Sequence, residues 1–149
     1  LLDEQLLEAL LAHHTFGELK IAPESGSDAV LALMHKPPVA FFEKFYASFK
    51  NICQKLKRSR KLVPYMIAGH PGESKEDAMK SARFLKEHDF ANDQYQLFTP
   101  TPMTLSSVMY YTGINPFTGE KISVEKDFHQ LEKRKERLLD QKKSPGLDR

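Results

Sequence analysis

The sequence predicts an α/β fold in which about three parallel strands alternate with helices. Three short apolar runs, each ended by proline or glycine, are typical of strands. Helical patterns lie between these runs, and strands separated by helices pair in parallel through crossover connections. A closed barrel takes about eight strands. Three strands therefore predict either a small open sheet or half of a larger TIM-type barrel.

The first part of the chain predicts helix, strand, short helix and long helix, in that order. Apolar residues spaced three and four apart indicate an opening helix, and they are Leu2, Leu6, Leu7, Leu10 and Leu11, followed by His14. Residues 18–22 read as the first strand, which Pro23 ends. Ser27 is the predicted N-cap of a short helix, and Lys36 precedes the prolines that end it. The longer helix repeats Phe41, Phe45, Phe49, Ile52 and Leu56.

The middle of the chain predicts two further strands with a helix between them. Residues 62–68, LVPYMIA, are the strongest strand pattern, although Pro64 removes one ladder hydrogen bond. The turn GHPGE at 69–73 leads to Ser74, which forms a capping-box pattern with Asp77. After a turn predicted at Asn92 and Asp93, residues 95–98 give the third strand. Prolines end that strand.

The last third of the sequence changes character. Residues 110–119, YYTGINPFTG, are rich in turn formers. A charged, largely solvated helix is predicted from about Val124 to Asp140, with a thin apolar stripe of Phe128, Leu131 and Leu138. Residues 142–149 are expected to be a frayed tail. The last third of the chain is therefore distinct from the α/β part that precedes it.

Composition excludes several classes of protein. A formal net charge of +2 is too small to indicate nucleic acid or an anionic membrane. No apolar run reaches the ~18–20 residues that a membrane-spanning helix requires, and the early leucines lie among acidic residues, unlike a signal peptide. The single cysteine, Cys53, excludes an internal disulfide and is typical of a reducing cytoplasm.

The chain is expected to be a fragment of a longer protein. It begins with Leu1 rather than methionine, and the helical pattern is already under way there without a recognisable cap.

Candidate functional residues follow the predicted strands, because parallel α/β sheets bind ligands beyond the carboxyl ends of their strands. The loops are PESGS at 23–27, GHPGES at 69–74 and TPTP at 99–102. Glu24 could accept hydrogen bonds from ribose hydroxyls. Gly69 and Gly72 could let main-chain amides form an anion-binding nest. The alternative is that these small residues serve only turns and helix caps.

Other reactive side chains give weaker signals. The six histidines have no metal-binding spacing. His70 could act as a general base but is more typical of a turn residue. Cys53 lies on the apolar side of a helix and is expected to be an inert thiol. The basic run 55–61 has no interleaved aromatics and is a poor candidate for contacting RNA.

The three strand-end segments, taken in order, resemble the radical S-adenosylmethionine (SAM) superfamily. LKIAPESGSD at 19–28, followed by LMHKP at 33–37, is similar to the region around its fourth strand. YMIAGHPGES at 65–74 resembles its fifth-strand G-x-P-G-E-T element, and QLFTPTPMT at 96–104 resembles its sixth strand. MYYTGINPFTG at 109–119 narrows the resemblance to YgiQ-type proteins. The resemblance covers roughly residues 1–141.

This resemblance implies that residues 1–107 are the C-terminal half of a partial TIM-type barrel and that residues 108–149 are a family-specific extension. It also implies that the chain carries half of a SAM site. The positions expected to line the ribose and adenine are Glu24, Ser25, Ile67, Gly69, Phe98 and Thr99. The superfamily holds a 4Fe–4S cluster on a CxxxCxxC motif, which needs three thiolates. This chain has one cysteine, so alone it is expected to be inactive and to bind neither the cluster nor SAM.

The resemblance also implies a partner and a location. The full-length protein would be a cytoplasmic radical SAM enzyme, an oxidoreductase whose N-terminal half completes the site. The fold does not identify the substrate. The alternative function is a non-catalytic α/β interaction module that binds a nucleotide or phosphate at the Gly69–Ser74 loop. We expect no membrane and no nucleic-acid partner.

Overall fold

Three parallel strands form the sheet of the described part of the chain, in the order β1-β2-β3. The computed structural model describes residues 3–90 and 95–140, with side chains through residue 136. The strands are β1 (Glu18–Glu24), β2 (Lys61–Ala68) and β3 (Tyr95–Leu97). The predicted α/β class with a small, open parallel sheet is confirmed.

Six helices accompany the sheet in these residues. They are α1 (Glu4–Ala9), α2 (Asp28–Leu33), α3 (Val39–Lys55), α4 (Lys75–Glu87), α5 (Leu105–Thr112) and α6 (Phe128–Asp140). A π-helical segment, Leu10–His14, continues α1. The predicted order of helices and strands holds through β3.

The hydrophobic core lies between one face of the sheet and the helices α1, α3 and α4. Alternate strand residues point to the same face, and the register places Leu19 beside Leu62 and Met66 beside Tyr95. These core-facing residues pack against helix residues, chiefly Leu7, Leu11, Phe49, Ile52, Phe84 and Leu85. Burial of this apolar surface is the main force that holds helices and sheet together.

The opposite face of the sheet is largely open. Lys20, Ala22 and Gln96 are exposed on it, and Tyr65 is 37% exposed. Parallel sheets in complete domains are normally covered on both faces or closed into a barrel. A sheet with helices on one face and an open second face is consistent with part of a barrel, whose helices lie outside and whose strands face inward.

The opening helix differs from the prediction in its start and in its apolar stripe. Asp3 is its N-cap, and the Asp3 carboxylate accepts a hydrogen bond from the amide of Leu6 at 3.0 Å. The helix therefore has the cap that sequence patterns did not reveal. Leu7 and Leu11 are buried, whereas Leu6 is 58% exposed. The predictions for Leu2, for the turn at Asn92 and Asp93 and for the tail from residue 142 concern residues outside the described set.

The first strand is longer than predicted. It continues through Pro23 to Glu24, with an irregular register between Ile21 and Glu24. Glu24 has a φ of +70°, a left-handed conformation that is uncommon outside glycine. The strand thus carries Glu24 to the edge of the sheet instead of ending before the loop.

Helix α5 was not predicted. It begins after Thr104, whose side chain accepts a hydrogen bond from the amide of Ser107, and ends at Gly113 in the left-handed conformation. The turn-rich segment therefore begins at Gly113 rather than at Tyr110, and α5 runs across the proposed boundary at 107/108. Beyond it, Ile114 pairs with Lys121 in an antiparallel bridge.

The segment after α5 packs back onto the sheet edge. Phe117 stacks on His35, with ring centroids 4.0 Å apart, and the amide of Gly72 donates to the carbonyl of Ser123 at 2.8 Å. These contacts join the extension to the residues after α2 and to the loop after β2.

The charged helix α6 begins at Phe128, four residues later than predicted. Of its expected apolar stripe, Leu131 is buried, Phe128 is 59% exposed, and the side chain of Leu138 lies outside the described set. Leu131 packs directly on Gly69, where an added Cβ would meet its side chain. The stripe is wrong for Phe128, which faces solvent, whereas Leu131 reaches the end of the sheet.

Hydrogen bonds fix the loop after β1 to helix α4. Ser27 is at the N-cap of α2, as predicted, but its hydroxyl makes no cap and donates instead to Asp77 at 2.6 Å. The amide of Gly26 donates to the hydroxyl of Ser81 at 2.9 Å, and the hydroxyls of Ser25 and Ser81 lie 3.2 Å apart. This loop therefore has a single position relative to α4.

Gly26→Ala is expected to destabilise the fold by about 1–3 kcal/mol through overpacking. A Cβ at Gly26 would lie 2.8 Å from the Cα of Ser81 and 2.7 Å from the Cβ of Phe84, so α4 would have to shift. The measurement is urea unfolding of the 149-residue chain. Gly119→Ala is the control, because a Cβ there meets no neighbour. Only the left-handed φ of +74° opposes that substitution, and it should cost about 1 kcal/mol of stability. Equal losses for the two variants would contradict the tight contact with α4.

Candidate functional site at the carboxyl edge of the sheet

Five of the six residues expected from sequence to line a site lie at or just beyond the carboxyl ends of the strands. Glu24 ends β1 and pairs with Met66, while Ser25 follows it. Gly69 follows β2. Phe98 follows β3, and its amide donates to the carbonyl of Ala68 at 2.9 Å. Thr99 is exposed next to Phe98.

Ile67 is the sixth of these residues. It lies one residue before the end of β2 and pairs with Gln96. Its position in the strand alternation puts it on the open face of the sheet. Ile67 is half-buried and gives that face an apolar patch close to the edge.

The two residues predicted after β1 have different environments. Glu24 is partly buried, and its carboxylate accepts a hydrogen bond from the ammonium of Lys36 at 3.0 Å. Lys36 also donates to the carbonyl of Ala22, so this pair ties the strand end to the residues after α2. Ser25 is buried, and its hydroxyl is engaged with Ser81 and with the amide of Ser27. Of the two, only Glu24 presents a polar group near the surface.

The loop after β2 is closed by its own carboxylate. Glu73 accepts a hydrogen bond from the amide of Gly69 at 2.6 Å. The amide of Gly72 is bonded to Ser123, and the amide of Glu73 donates to the carbonyl of His70. The amides proposed for an anion-binding nest are therefore already bonded, and a negative charge lies among them.

Glu73 lies in an unusual electrostatic environment. It is 5% exposed, and burial raises its pKa to about 7, even though the Gly69 amide and the charge of Arg134 act in the opposite direction. Burial, and then the Glu73 charge, raise the pKa of Tyr95. The Tyr95 hydroxyl is buried without a hydrogen-bond partner among the described residues. Near neutral pH, the Glu73 carboxyl is divided between its neutral and charged forms.

A second polar pair lies beside this loop and was not anticipated from sequence. His70 is 3% exposed. Its Nδ1 lies 2.8 Å from the carbonyl oxygen of Pro71, and its Nε2 lies 2.8 Å from the hydroxyl of Ser106 on α5. The rings of His70 and Phe98 meet edge to face at 5.3 Å. His70 thus joins the β2 loop, the end of β3 and α5, which its position in the turn alone could not indicate.

Among the side chains that could hold a metal in the described part of the chain, cysteine comes first, because a 4Fe–4S cluster requires it. Cys53 is the chain's single cysteine, and it lies half-buried on α3 in the helical layer. Burial raises the pKa of its thiol, which favours the inert protonated form. Within residues 3–90 and 95–140, no three histidine, cysteine or acidic side chains converge as a metal site. Among the same residues, no helix has the length and apolarity needed to cross a bilayer.

The raised pKa of Glu73 gives a stability that depends on pH. In the folded chain, the Glu73 carboxyl keeps its proton up to about pH 7, whereas an ordinary carboxyl loses it near pH 4.5. The free energy that this difference contributes to stability is therefore complete below pH 4.5 and disappears as the pH rises through about 7. Glu73→Gln keeps an acceptor for the Gly69 amide but cannot ionise. We expect the free energy of unfolding of Glu73→Gln to exceed that of the wild type by about 1–3 kcal/mol at pH 8 and to equal it at pH 5.

Urea unfolding at both pH values measures this difference. Glu76→Gln is the matched control, because it makes the same chemical change at an exposed residue in the first turn of α4, three positions further along the chain. If Glu73→Gln changes stability equally at the two pH values, the raised pKa is wrong.

Comparison with known proteins places the chain beside uncharacterised relatives. Residues 93–142 match the family model of a domain of unknown function (DUF3362). The chain is 43% identical over 144 residues to a UPF0313 protein of Methanosarcina acetivorans, covering 97% of this chain and 19% of the relative. UPF0313 proteins of Clostridium botulinum and Thermotoga maritima are each 42% identical, over 92% and 89% of this chain and 21% and 24% of theirs. The chain is similar to these proteins along nearly its whole length and spans about a fifth of theirs.

Proposed function

We propose that this chain forms the adenosyl-facing half of a SAM site in a radical SAM enzyme of the YgiQ type. One observation carries the proposal. The three segments that resemble the superfamily end three adjacent parallel strands, and their loops meet at one edge of a sheet whose second face is open. Ligands of parallel α/β sheets bind at this edge.

The edge offers separate groups for the parts of an adenosyl ligand. Phe98 and Ile67, both half-buried, give aromatic and aliphatic surface that suits a base. Glu24 has acceptor oxygens for ribose hydroxyls, and Lys36 fixes its carboxylate. Thr99 is exposed beside Phe98. Gly69 and Ser25 support the edge rather than face a ligand. The Leu131 side chain packs on Gly69, and the Ser25 hydroxyl lies within hydrogen-bond distance of the Ser81 hydroxyl.

The rest of a longer protein is the proposed partner. Its cysteines would hold the 4Fe–4S cluster, since Cys53 cannot do so alone. Its strands would extend the sheet and enclose the open face that carries Tyr65 and Gln96. The relatives, about four to five times the length of this chain, have room for such a part. A cytoplasmic location belongs to the same proposal, because low cysteine usage and iron–sulfur chemistry suit a reducing compartment.

The alternative of a phosphate-binding module has less support. An anion nest requires free main-chain amides, and those of Gly69, Gly72 and Glu73 are already bonded. The buried carboxyl of Glu73 would repel an anion whenever it is charged.

The native protein that carries this chain should be several times larger than 17.1 kDa and should contain a CxxxCxxC motif. Intact mass gives the size. After anaerobic reconstitution, we expect about four iron and four sulfide per chain, the content of one 4Fe–4S cluster. With a one-electron reductant to cleave SAM, and with substrate or buffer giving a hydrogen atom to the resulting radical, the protein should convert SAM to methionine and 5′-deoxyadenosine. Replacing the three motif cysteines with alanine should abolish both cluster and conversion.

Two results would overturn the proposal. One is a native product of about this chain's mass. The other is a longer product that lacks the cysteine motif. Either would leave an α/β binding module as the better description.

A further inference from the structure

We propose that the Ser106 hydroxyl oxygen, held as a hydrogen-bond acceptor by His70, selects the 6-amino group of an adenine base bound against Phe98. The inference rests on the SAM site proposed above and assigns the residue that reads the base. In this scheme, Ser106 contacts the ligand and His70 is a positioning residue.

The Pro71 carbonyl determines which nitrogen of His70 carries the proton. A carbonyl oxygen can only accept, and it lies 2.8 Å from Nδ1, so Nδ1 carries the hydrogen and donates it. Burial lowers the pKa of His70 despite this hydrogen bond, which keeps the ring neutral near pH 7. A neutral ring protonated on Nδ1 has its lone pair on Nε2.

The lone pair on Nε2 then determines the direction of the Ser106 hydroxyl. Ser106 Oγ lies 2.8 Å from Nε2, and with Nε2 unprotonated, the hydroxyl must be the donor. A hydroxyl has one hydrogen and two lone pairs. With its hydrogen committed to His70, the oxygen can only accept from a ligand. The Ser106 oxygen therefore favours a ligand that places an amino group beside it and disfavours one that places a carbonyl there.

The surroundings of Ser106 suit an aromatic base. His70 contacts both Ser106 and Phe98, so these two side chains share one buried neighbour. Tyr110 is tilted against Phe98, with ring centroids 5.8 Å apart. Ser106 is only half-buried and remains accessible. Phe98 supplies a surface for the base, while Ser106 supplies an acceptor near its rim.

The test compares two ligands that differ in the base. S-adenosylhomocysteine carries the 6-amino group, and S-inosylhomocysteine carries a carbonyl there. Calorimetry on the native protein that carries this chain, at about pH 8, should show the adenosyl compound binding at least about tenfold more tightly, since one hydrogen bond is gained and one repulsion avoided.

Two variants separate recognition by Ser106 from a structural role. Ser106→Ala should weaken binding of the adenosyl compound and bring the ratio of affinities close to one. His70→Phe fills the ring volume and frees the Ser106 hydroxyl to donate, so the inosyl compound should gain affinity and the ratio should again approach one. Ser59→Ala, in an exposed loop before β2, should leave the ratio unchanged. Circular dichroism checks that each variant is folded.

Each outcome decides the inference. A wild-type ratio near one, or a ratio that Ser106→Ala leaves intact, overturns the role of Ser106 while leaving the SAM site standing. A ratio that collapses in Ser106→Ala, with the inosyl compound gaining affinity in folded His70→Phe, supports it. If the wild type binds neither compound, the proposed SAM site fails and this inference fails with it.

Discussion

The carboxyl edge of the sheet depends on one carboxylate, Asp77. It accepts hydrogen bonds from the amide and hydroxyl of Ser74, which complete the cap of α4, and from the hydroxyl of Ser27 in the loop after β1. Burial alone would raise the pKa of Asp77, but the hydrogen bonds from Ser27 and Ser74 lower it to about 2. The group is therefore charged at neutral pH, and its hydrogen bonds are of the strong, charge-assisted kind. Two of the three strand-end loops take their relative position from it.

The edge has a closed part and an accessible part. The β2 loop is internally satisfied, since Glu73 takes the Gly69 amide and Leu131 packs over the same glycine. Around Phe98, Thr99 and Ser106, side chains remain partly or fully exposed. The glycines that draw attention in the sequence therefore serve the fold, whereas the polar side chains that stay accessible at the edge lie at the end of β1 and after β3. Glycine loops at strand ends give the backbone freedom to turn, and here that freedom is used for packing.

Local patterns predicted the strands and α4 well, because their apolar runs and the Ser74–Asp77 capping box are short-range features. Helix α5 escaped prediction because Leu105 and Val108 are about half exposed while Ser107 is buried, so its hydrophobic pattern is inverted. The sequence predicts that the Ser27 hydroxyl caps its own helix, α2. In the structure, this hydroxyl donates instead to Asp77, fifty residues further along the chain. His70 and Ser106 are also far apart in sequence, and only the parallel sheet brings them together. Interactions of this kind have no local signature.

The parallel pairing also determines when the edge forms during folding. Glu18 pairs with Lys61 and Met66 with Tyr95, so each strand contact closes a long loop and carries its entropic cost. The backbone hydrogen bonds of helices such as α3 join residues close in sequence and can form early, whereas strand pairing over such separations is slow. The three loops come together only when the sheet does. A molecule that bridges them binds the folded state alone, so it stabilises the whole domain by mass action rather than ordering a single loop.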